Sequence, residues 1–155
     1  MPEIDARELK AAKLPLMSDI DRQRLLDTAR NALLAAFPNA WAIYVYGSFA
    51  RGDHSPKSDI DLALLLPPAE KIDELLSIIS DVSTRTHREV DLVDLRKVSD
   101  VLRREILAEG RILHVSQPDR VLEWEGTAIS RYQRYREEVR DLLKDFQSTG
   151  IGYGQ

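Results

Sequence analysis

Two short groups of residues, separated by ten residues, have the types and spacing needed to handle a phosphate-bearing substrate. The first is the pair Gly47-Ser48, which closes an apolar run, and the second is Asp59 and Asp61, which open another. Side chains at positions i and i+2 of a strand point to the same side, so these two carboxylates would lie together while their neighbours pack into a core. The stretch Gly47–Asp61 therefore predicts a phosphate-binding turn beside a divalent-metal site.

The residue types in this stretch indicate a particular reaction. Two adjacent carboxylates repel each other unless a cation lies between them, and oxygen ligands of this kind suit Mg²⁺ or Mn²⁺. Gly47 would let a phosphate approach the backbone, and Ser48 offers a hydroxyl and an amide to its oxygens. We therefore expect a hydroxyl to attack the α-phosphorus of a nucleoside triphosphate, with metal ions neutralising charge and pyrophosphate leaving.

Three further residues are candidates for this site. Asp91 is a third carboxylate, expected either to bridge to the attacking hydroxyl or to act as its general base. Lys57 and Arg51 lie within the stretch itself and would suit phosphate oxygens. For Arg51, a structural ion pair is an equally good interpretation.

Other classes of site fit the sequence poorly. Gly47 and Gly52 imitate the start of a P-loop, but Asp53-His54 stand where that motif requires Lys-Ser/Thr. The three histidines have no metal-ligand spacing, and the absence of cysteine excludes disulfides and Cys-ligated zinc.

Composition and charge are those of an ordinary globular domain. The 155 residues are 43% hydrophobic and 31% charged, and the net charge of −4 gives no support for direct nucleic-acid binding. The N-terminus does not resemble a signal peptide, and no run approaches the roughly 20 apolar residues of a membrane span. We expect a cytoplasmic protein that does not contact a membrane.

Hydrophobic periodicity and breaker residues predict the elements that must position these groups. Ser18 is a suitable N-cap for a first helix, which Pro38-Asn39 would end. Ser99 would cap a later helix, and Gly110 would close it. Residues 111–115 are either a short edge strand or an extended connection. The expected strands cover residues 41–46, 59–66 and 89–95, one helical turn follows Gly47, and the later helices cover 69–85, 99–109 and 118 onward.

The lengths of the connections predict how the strands are arranged. Only a dozen residues join the first two strands, too few for a crossover helix, so we expect them to be antiparallel. The helix of residues 69–85 is long enough to be a crossover, which makes the third strand parallel to the second. Gly47, Asp59 and Asp91 would then meet at one end of the sheet.

This order predicts an α/β (α+β) fold, with a small mixed β-sheet flanked by helices and a long C-terminal helix. We divide the chain into an N-terminal arm (1–17), a catalytic domain (18–116), the C-terminal helix (117–149) and a flexible tail (150–155). The helix carries an apolar stripe that packs either on the domain or on a helical partner. Its members are Trp124, Ala128, Tyr132, Tyr135, Val139, Leu142 and Phe146.

The combination of motifs resembles a known family. Gly47-Ser48, ten residues and Asp59-Ile60-Asp61 are similar to the GSx₁₀DxD signature of the DNA polymerase β-type nucleotidyltransferases, in particular their minimal (MNT) group. Two further segments, 88–95 and 106–114, resemble the strand of that family's third carboxylate and its following helix-turn segment. The likeness covers about residues 20–115.

The resemblance implies a polymerase β-type nucleotidyltransferase fold and a function. Members of this size are often antitoxins in type VII-like pairs with a HEPN-domain RNase toxin, and active ones transfer AMP from ATP to a toxin tyrosine. Gly47 and Ser48 would bind the triphosphate, while Asp59, Asp61 and Asp91 would be catalytic and hold Mg²⁺. The chain lacks the toxin's own R-x₄₋₆-H signature.

Two alternatives remain open on sequence alone. One is a nucleotidyltransferase with a small-molecule acceptor such as an aminoglycoside, although those enzymes usually carry a larger second domain. The other is an antitoxin that only binds its partner and retains the nucleotide site without using it.

Overall fold

In the computed structural model, residues 17–53, 55 and 57–149 are described. They form five helices and four strands, which are interspersed along the chain. The elements are α1 (Asp19–Ala36), β1 (Ala42–Tyr46), α2 (Ser48–Arg51), β2 (Ile60–Leu65), α3 (Leu75–Thr86), β3 (Val90–Asp94), α4 (Asp100–Glu109), β4 (Arg111–Val115) and α5 (Pro118–Thr149).

The four strands form one mixed sheet in the order β3-β2-β1-β4. β1 is antiparallel to β2 and to β4, and β2 is parallel to β3 through the crossover helix α3. The predicted antiparallel and parallel pairings are both confirmed. Residues 111–115 are an edge strand, which settles the alternative left open by the sequence.

Alternating side chains of the strands bury two cores, one on each face of the sheet. Ile43 and Val45 face α1 and α3, where the larger core lies. Ala42 and Tyr44 point the other way, into a smaller core closed by α4 and α5. The two-residue period of a strand produces this division. The carboxyl end of β1 and the amino ends of β2 and β3 lie at the same end of this sheet.

Helix capping follows the predicted residues at three places. The Ser18 side chain accepts a hydrogen bond from the amide of Asp21, and Ser99 accepts one from Leu102, so both serines are N-caps. Gly110 closes α4, but with φ −72° and ψ 162° rather than a left-handed conformation. A side chain there would collide with the carbonyl oxygen of Ile106, which explains the glycine sterically.

The predicted start of the crossover helix was wrong by six residues. Residues 69–74 are not helical, and α3 begins only at Leu75, after Glu74 in a left-handed conformation (φ 56°). The reason lies far away in sequence, since the Arg96 guanidinium donates hydrogen bonds to the carbonyls of Pro67 (2.8 Å) and Glu70 (2.7 Å). These bonds fix a turn after β2.

The long helix α5 is divided into two parts by its surroundings. Val121 and Ala128 are buried against the domain, and Tyr44 donates a 2.6 Å hydrogen bond to Glu125. From residue 133 to residue 148 every side chain is exposed. The apolar stripe therefore packs on the domain in its first half only.

The outer segments of the predicted organisation are mostly beyond what the structure describes. Met17, the last residue of the predicted arm, packs against the larger core. The remainder of the arm, residues 1–16, and the predicted tail, residues 150–155, fall outside the described residues. Within the described part of the chain, no helix combines the length and the apolar character needed to cross a membrane.

Candidate functional site

A row of three side chains crosses the sheet at the end where β1 finishes. Tyr46 of β1 is paired with Asp61 of β2, and Asp61 is paired with Asp91 of β3. All three share the face of the sheet that carries α4 and α5, because they lie an even number of residues from Tyr44, Ala63 and Val93 of the smaller core. The two carboxylates predicted from separate motifs are therefore direct neighbours.

Gly47 is required by the carboxylate beside it. Its φ of 68° and ψ of −149° lie in a region that side chains rarely adopt. A Cβ atom at this position would collide with Oδ2 of Asp61. The sequence suggested that Gly47 admits a phosphate, and the structure adds that it also makes room for Asp61.

The electrostatics of Asp61 fit a cation-binding carboxylate. Its pKa is raised above the usual 3.8 by burial first, then by the negative charges of Asp91 and Asp59, while Arg51 opposes the shift. A divalent cation among these oxygens would relieve the repulsion. The donor set is thus chemically suited to Mg²⁺ or Mn²⁺.

The three carboxylates are not equally placed. Asp61 is half-buried within β2, whereas Asp59 precedes the strand and is exposed, as is Asp91. Among the described residues, no group of three or more histidine, aspartate or glutamate side chains is gathered closely enough to form a ready-made metal cluster. The metal-binding role of Asp59, Asp61 and Asp91 stays a prediction.

Tyr46 is a member of the row that the sequence reading missed. Its hydroxyl donates a 3.3 Å hydrogen bond to Oδ2 of Asp91. Burial raises the pKa of Tyr46, and the charges of Asp91 and Asp61 raise it further, so the phenol stays protonated and remains a donor. Its position directly before Gly47 was the available signal.

The predicted phosphate-binding residues Ser48, Arg51 and Lys57 lie in the connection between β1 and β2. Ser48 begins α2, which is a single turn closed by Gly52 in a left-handed conformation (φ 81°). Arg51 forms an exposed ion pair with Asp53 at 3.3 Å, and its binding of phosphate stays a prediction. Lys57 is exposed, and its ammonium group has no ion-pair partner among the residues that the structure describes.

Arg88 is a second residue whose importance the sequence did not reveal. It precedes β3, and its guanidinium reaches the carbonyl oxygens of Ser55 and Ser58 in the connection between α2 and β2. The segment 88–95 resembles the third-carboxylate strand of the family, but that resemblance implies no role for its first residue. Arg88 thus links the two motifs.

Comparison with known proteins agrees with this geometry. The chain is similar to protein adenylyltransferase MntA of Shewanella oneidensis, with 28% identity over 131 residues, which are 83% of this chain and 89% of the relative. A solved structure of a toxin-antitoxin with AMP-PNP matches with a TM-score of 0.67 and 29% identity, covering 79% of this chain and 98% of the matched one.

A second solved structure contains a tri-AMPylated Shewanella oneidensis HEPN toxin in complex with its MNT antitoxin. It matches with a TM-score of 0.64 and 27% identity over 81% of this chain and 98% of the other. The model of the family described as "Polymerase beta, Nucleotidyltransferase" matches residues 31–119, which include the Gly-Ser turn and all three carboxylates. The chain therefore belongs to the polymerase beta nucleotidyltransferase family.

Proposed function

We propose that this protein is an antitoxin that transfers AMP from ATP to a tyrosine hydroxyl of a HEPN RNase toxin and thereby neutralises it. Support comes from the similarity to MntA, an adenylyltransferase, and to a complex that contains an AMPylated HEPN toxin. The observation that carries the proposal is the pairing of Asp61 with Asp91 next to Gly47. A cytoplasmic location fits a reaction that consumes ATP.

The transfer exchanges one phosphorus–oxygen bond for another. The phenolic oxygen of the acceptor forms a bond to the α-phosphorus, the bond from that phosphorus to the oxygen leading to the β-phosphate breaks, and pyrophosphate leaves. Asp91 accepts the proton of the acceptor hydroxyl, since it is the exposed carboxylate of the pair. Ser48 and Lys57 bind the triphosphate oxygens.

Asp59, Asp61 and Asp91 would hold Mg²⁺ or Mn²⁺, which when bound would neutralise charge on the phosphates. Two residues keep the carboxylates in place for this task. Gly47 leaves the space that the Asp61 carboxylate occupies, and Tyr46 donates a hydrogen bond to Asp91. The neighbouring carboxylates Asp61 and Asp91 thus lie at an accessible end of the sheet, where a protein acceptor can reach them.

The exposed half of α5 is the surface that we propose for the toxin. Residues 133–148 form a helix about 24 Å long, and they hold four basic and four acidic residues. Tyr135, Val139, Leu142 and Leu143 are exposed and recur at helical spacing. A neutral amphipathic helix of this kind suits docking in an apolar groove of a helical partner. The toxin is the occupant because the matched relatives were solved as toxin–antitoxin assemblies.

The test is to co-express the chain with the product of its neighbouring reading frame and to measure the intact mass of that partner. Wild type is compared with the double variant Asp59→Asn/Asp61→Asn and with Asp81→Asn, which removes an exposed carboxylate of α3 as a matched control. We expect the partner to gain the mass of one or more AMP units with wild type and with the control. The double variant should abolish the gain.

The other outcomes favour one of the alternatives or refute the assigned site. Neutralisation of toxicity by the double variant without any mass gain would favour an antitoxin that acts by binding alone. Mass gain on an added aminoglycoside, with the partner unmodified, would favour a small-molecule acceptor. Mass gain on the partner that persists in the double variant would refute the assigned site.

A further inference from the structure

Arg88 joins the beginning of β3 to the connection that leads into β2. Its Nη1 atom donates hydrogen bonds to the carbonyl oxygens of Ser55 and Ser58, both at 3.0 Å. These acceptors are 33 and 30 residues away along the chain. A single guanidinium therefore binds the backbone of the segment that lies between the Gly-Ser turn and Asp59.

The contacted backbone forms a short turn. The Ser58 amide donates to the carbonyl of Ser55 at 3.0 Å, and the Ser55 amide donates to the Ser58 hydroxyl at 2.7 Å. We call this small structure the Ser55/Ser58 turn. Among the described residues, the hydrogen bonds that connect this turn to distant parts of the chain are the two from Arg88.

Arg88 is itself held rigidly. The Ser83 hydroxyl donates to the Arg88 carbonyl oxygen at 2.6 Å, and the Arg88 amide donates to the Ser83 carbonyl at 3.3 Å. Its guanidinium carbon lies 5.4 Å from the ring centroid of Phe49 in α2. Burial lowers the pKa of Arg88, in keeping with its half-buried position. It contacts α2, α3 and the Ser55/Ser58 turn at once.

We infer that Arg88 is a positioning residue for nucleotide binding, because it fixes the Ser55/Ser58 turn. This turn carries Lys57 and places Asp59 near Asp61 and Asp91. Hydrogen bonds from a charged donor to carbonyl oxygens are stronger than neutral ones. The planar guanidinium also lies over the Phe49 ring while its Nη1 atom reaches both carbonyls, a combination that a lysine ammonium cannot reproduce. This inference rests on the proposed function only for its catalytic consequence.

The test measures the turn directly, through tryptic cleavage after Lys57. Arg88→Gln and Arg88→Lys are compared with wild type and with Arg85→Gln, which removes a more exposed arginine of α3 that is ion-paired with Asp81. Cleavage after Lys57 is expressed relative to cleavage after Arg104 in α4, so that general unfolding cancels. We expect Arg88→Gln to raise this ratio about tenfold or more, Arg88→Lys to raise it less, and the control to leave it unchanged.

The same variants are assayed for AMP transfer. Loss of the positioning should raise KM for ATP about tenfold while kcat changes less. An unchanged cleavage ratio in folded Arg88→Lys and Arg88→Gln would overturn the inference. So would a raised ratio accompanied by an unchanged KM for ATP in an active enzyme. If wild type transfers no AMP, the raised ratio still supports the positioning, and it is the proposed function that fails.

Discussion

The hydroxyl of Tyr46 lies 3.3 Å from Oδ2 of Asp91, so that a side chain of β1 reaches across β2 to a carboxylate of β3. Asp61 lies between them in the register of the sheet. The hydrogen bond connects the residue before the Gly-Ser turn to the third carboxylate. Tyr46 thereby limits the orientations open to Asp91.

Replacing Tyr46 by phenylalanine keeps the ring and removes this donor. We expect kcat for AMP transfer to fall about tenfold, with KM for ATP changed by less than about twofold, because the bond orients Asp91 and does not touch ATP. Tyr44→Phe is the matched control, since it removes a hydroxyl that is bonded to Glu125 on the same face of β1. Equal losses of kcat in the two variants would contradict a positioning role for Tyr46.

Replacing Gly47 by alanine should disturb both folding and activity. The added Cβ would collide with Asp61, and the backbone conformation is unfavourable for alanine by about 1–3 kcal/mol. We expect a lower free energy of unfolding in urea and a roughly hundredfold loss of AMP transfer. Gly126→Ala is the control, because nothing lies within 4 Å of its Cβ, and it should not destabilise the protein. Full activity of Gly47→Ala would refute the steric explanation.

Divalent cations should stabilise the folded protein by binding to Asp59, Asp61 and Asp91. Mg²⁺ at ten times its Kd would add ~1.4 kcal/mol to the free energy of unfolding if it binds the native state alone. This appears as a rise in Tm, measured by differential scanning calorimetry with Mg²⁺ and with EDTA. The Asp61→Asn variant should show no rise in Tm with Mg²⁺, because it lacks the carboxylate whose charge is repelled by Asp91 and Asp59. Asp81→Asn should retain it, and an equal rise in the two variants would place the cation elsewhere.

The ion pair between Asp94 and Arg96 makes stability depend on pH. Burial alone would raise the pKa of Asp94, but hydrogen bonds from Arg96 and its charge hold it below the usual 3.8. The contribution is therefore present above pH 3.8 and is lost as the pH falls through the lowered folded value. Asp94→Asn should destabilise the protein by about 3 kcal/mol at pH 7, and this difference should shrink below pH 3.8.

Urea unfolding at a series of pH values measures this effect. Asp81→Asn serves as the comparison. The ion pair between Asp81 and Arg85 is exposed, so it should contribute no more than about 1 kcal/mol to the free energy of unfolding. A destabilisation by Asp94→Asn that stays constant from pH 7 to low pH would show that the charge of Asp94 is not responsible.

The exposed half of α5 provides a test of the partner surface. Val139→Glu and Leu142→Glu place charge on the apolar stripe, and they should change the free energy of unfolding by no more than about 0.5 kcal/mol because both residues are exposed. We expect them to abolish co-purification of the toxin. Glu138→Gln, on the same helix, is the control for helix content. Undiminished toxin binding by both variants would exclude this surface.

Much of the fold was predictable because its signals are local. Apolar runs ended by Gly47 or by Pro67-Pro68 predict strands, and Ser18 and Ser99 cap helices through bonds to amides three residues away. The spacing of Asp59 and Asp61 matches the strand period, and the short connection between β1 and β2 favours an antiparallel pair. These features depend on neighbouring residues, which the sequence displays.

The sequence by itself determined the motif, the directions of the first three strands and the end of the sheet where the carboxylates meet. The tertiary structure decided that α3 begins at Leu75, that Arg88 supports the Ser55/Ser58 turn, and that Gly47 makes room for Asp61. It also decided that α5 leaves its second half exposed. The physical reason is common to all four: hydrophobic periodicity shows which side of an element is apolar, but contacts between distant residues decide what covers it and which polar groups meet.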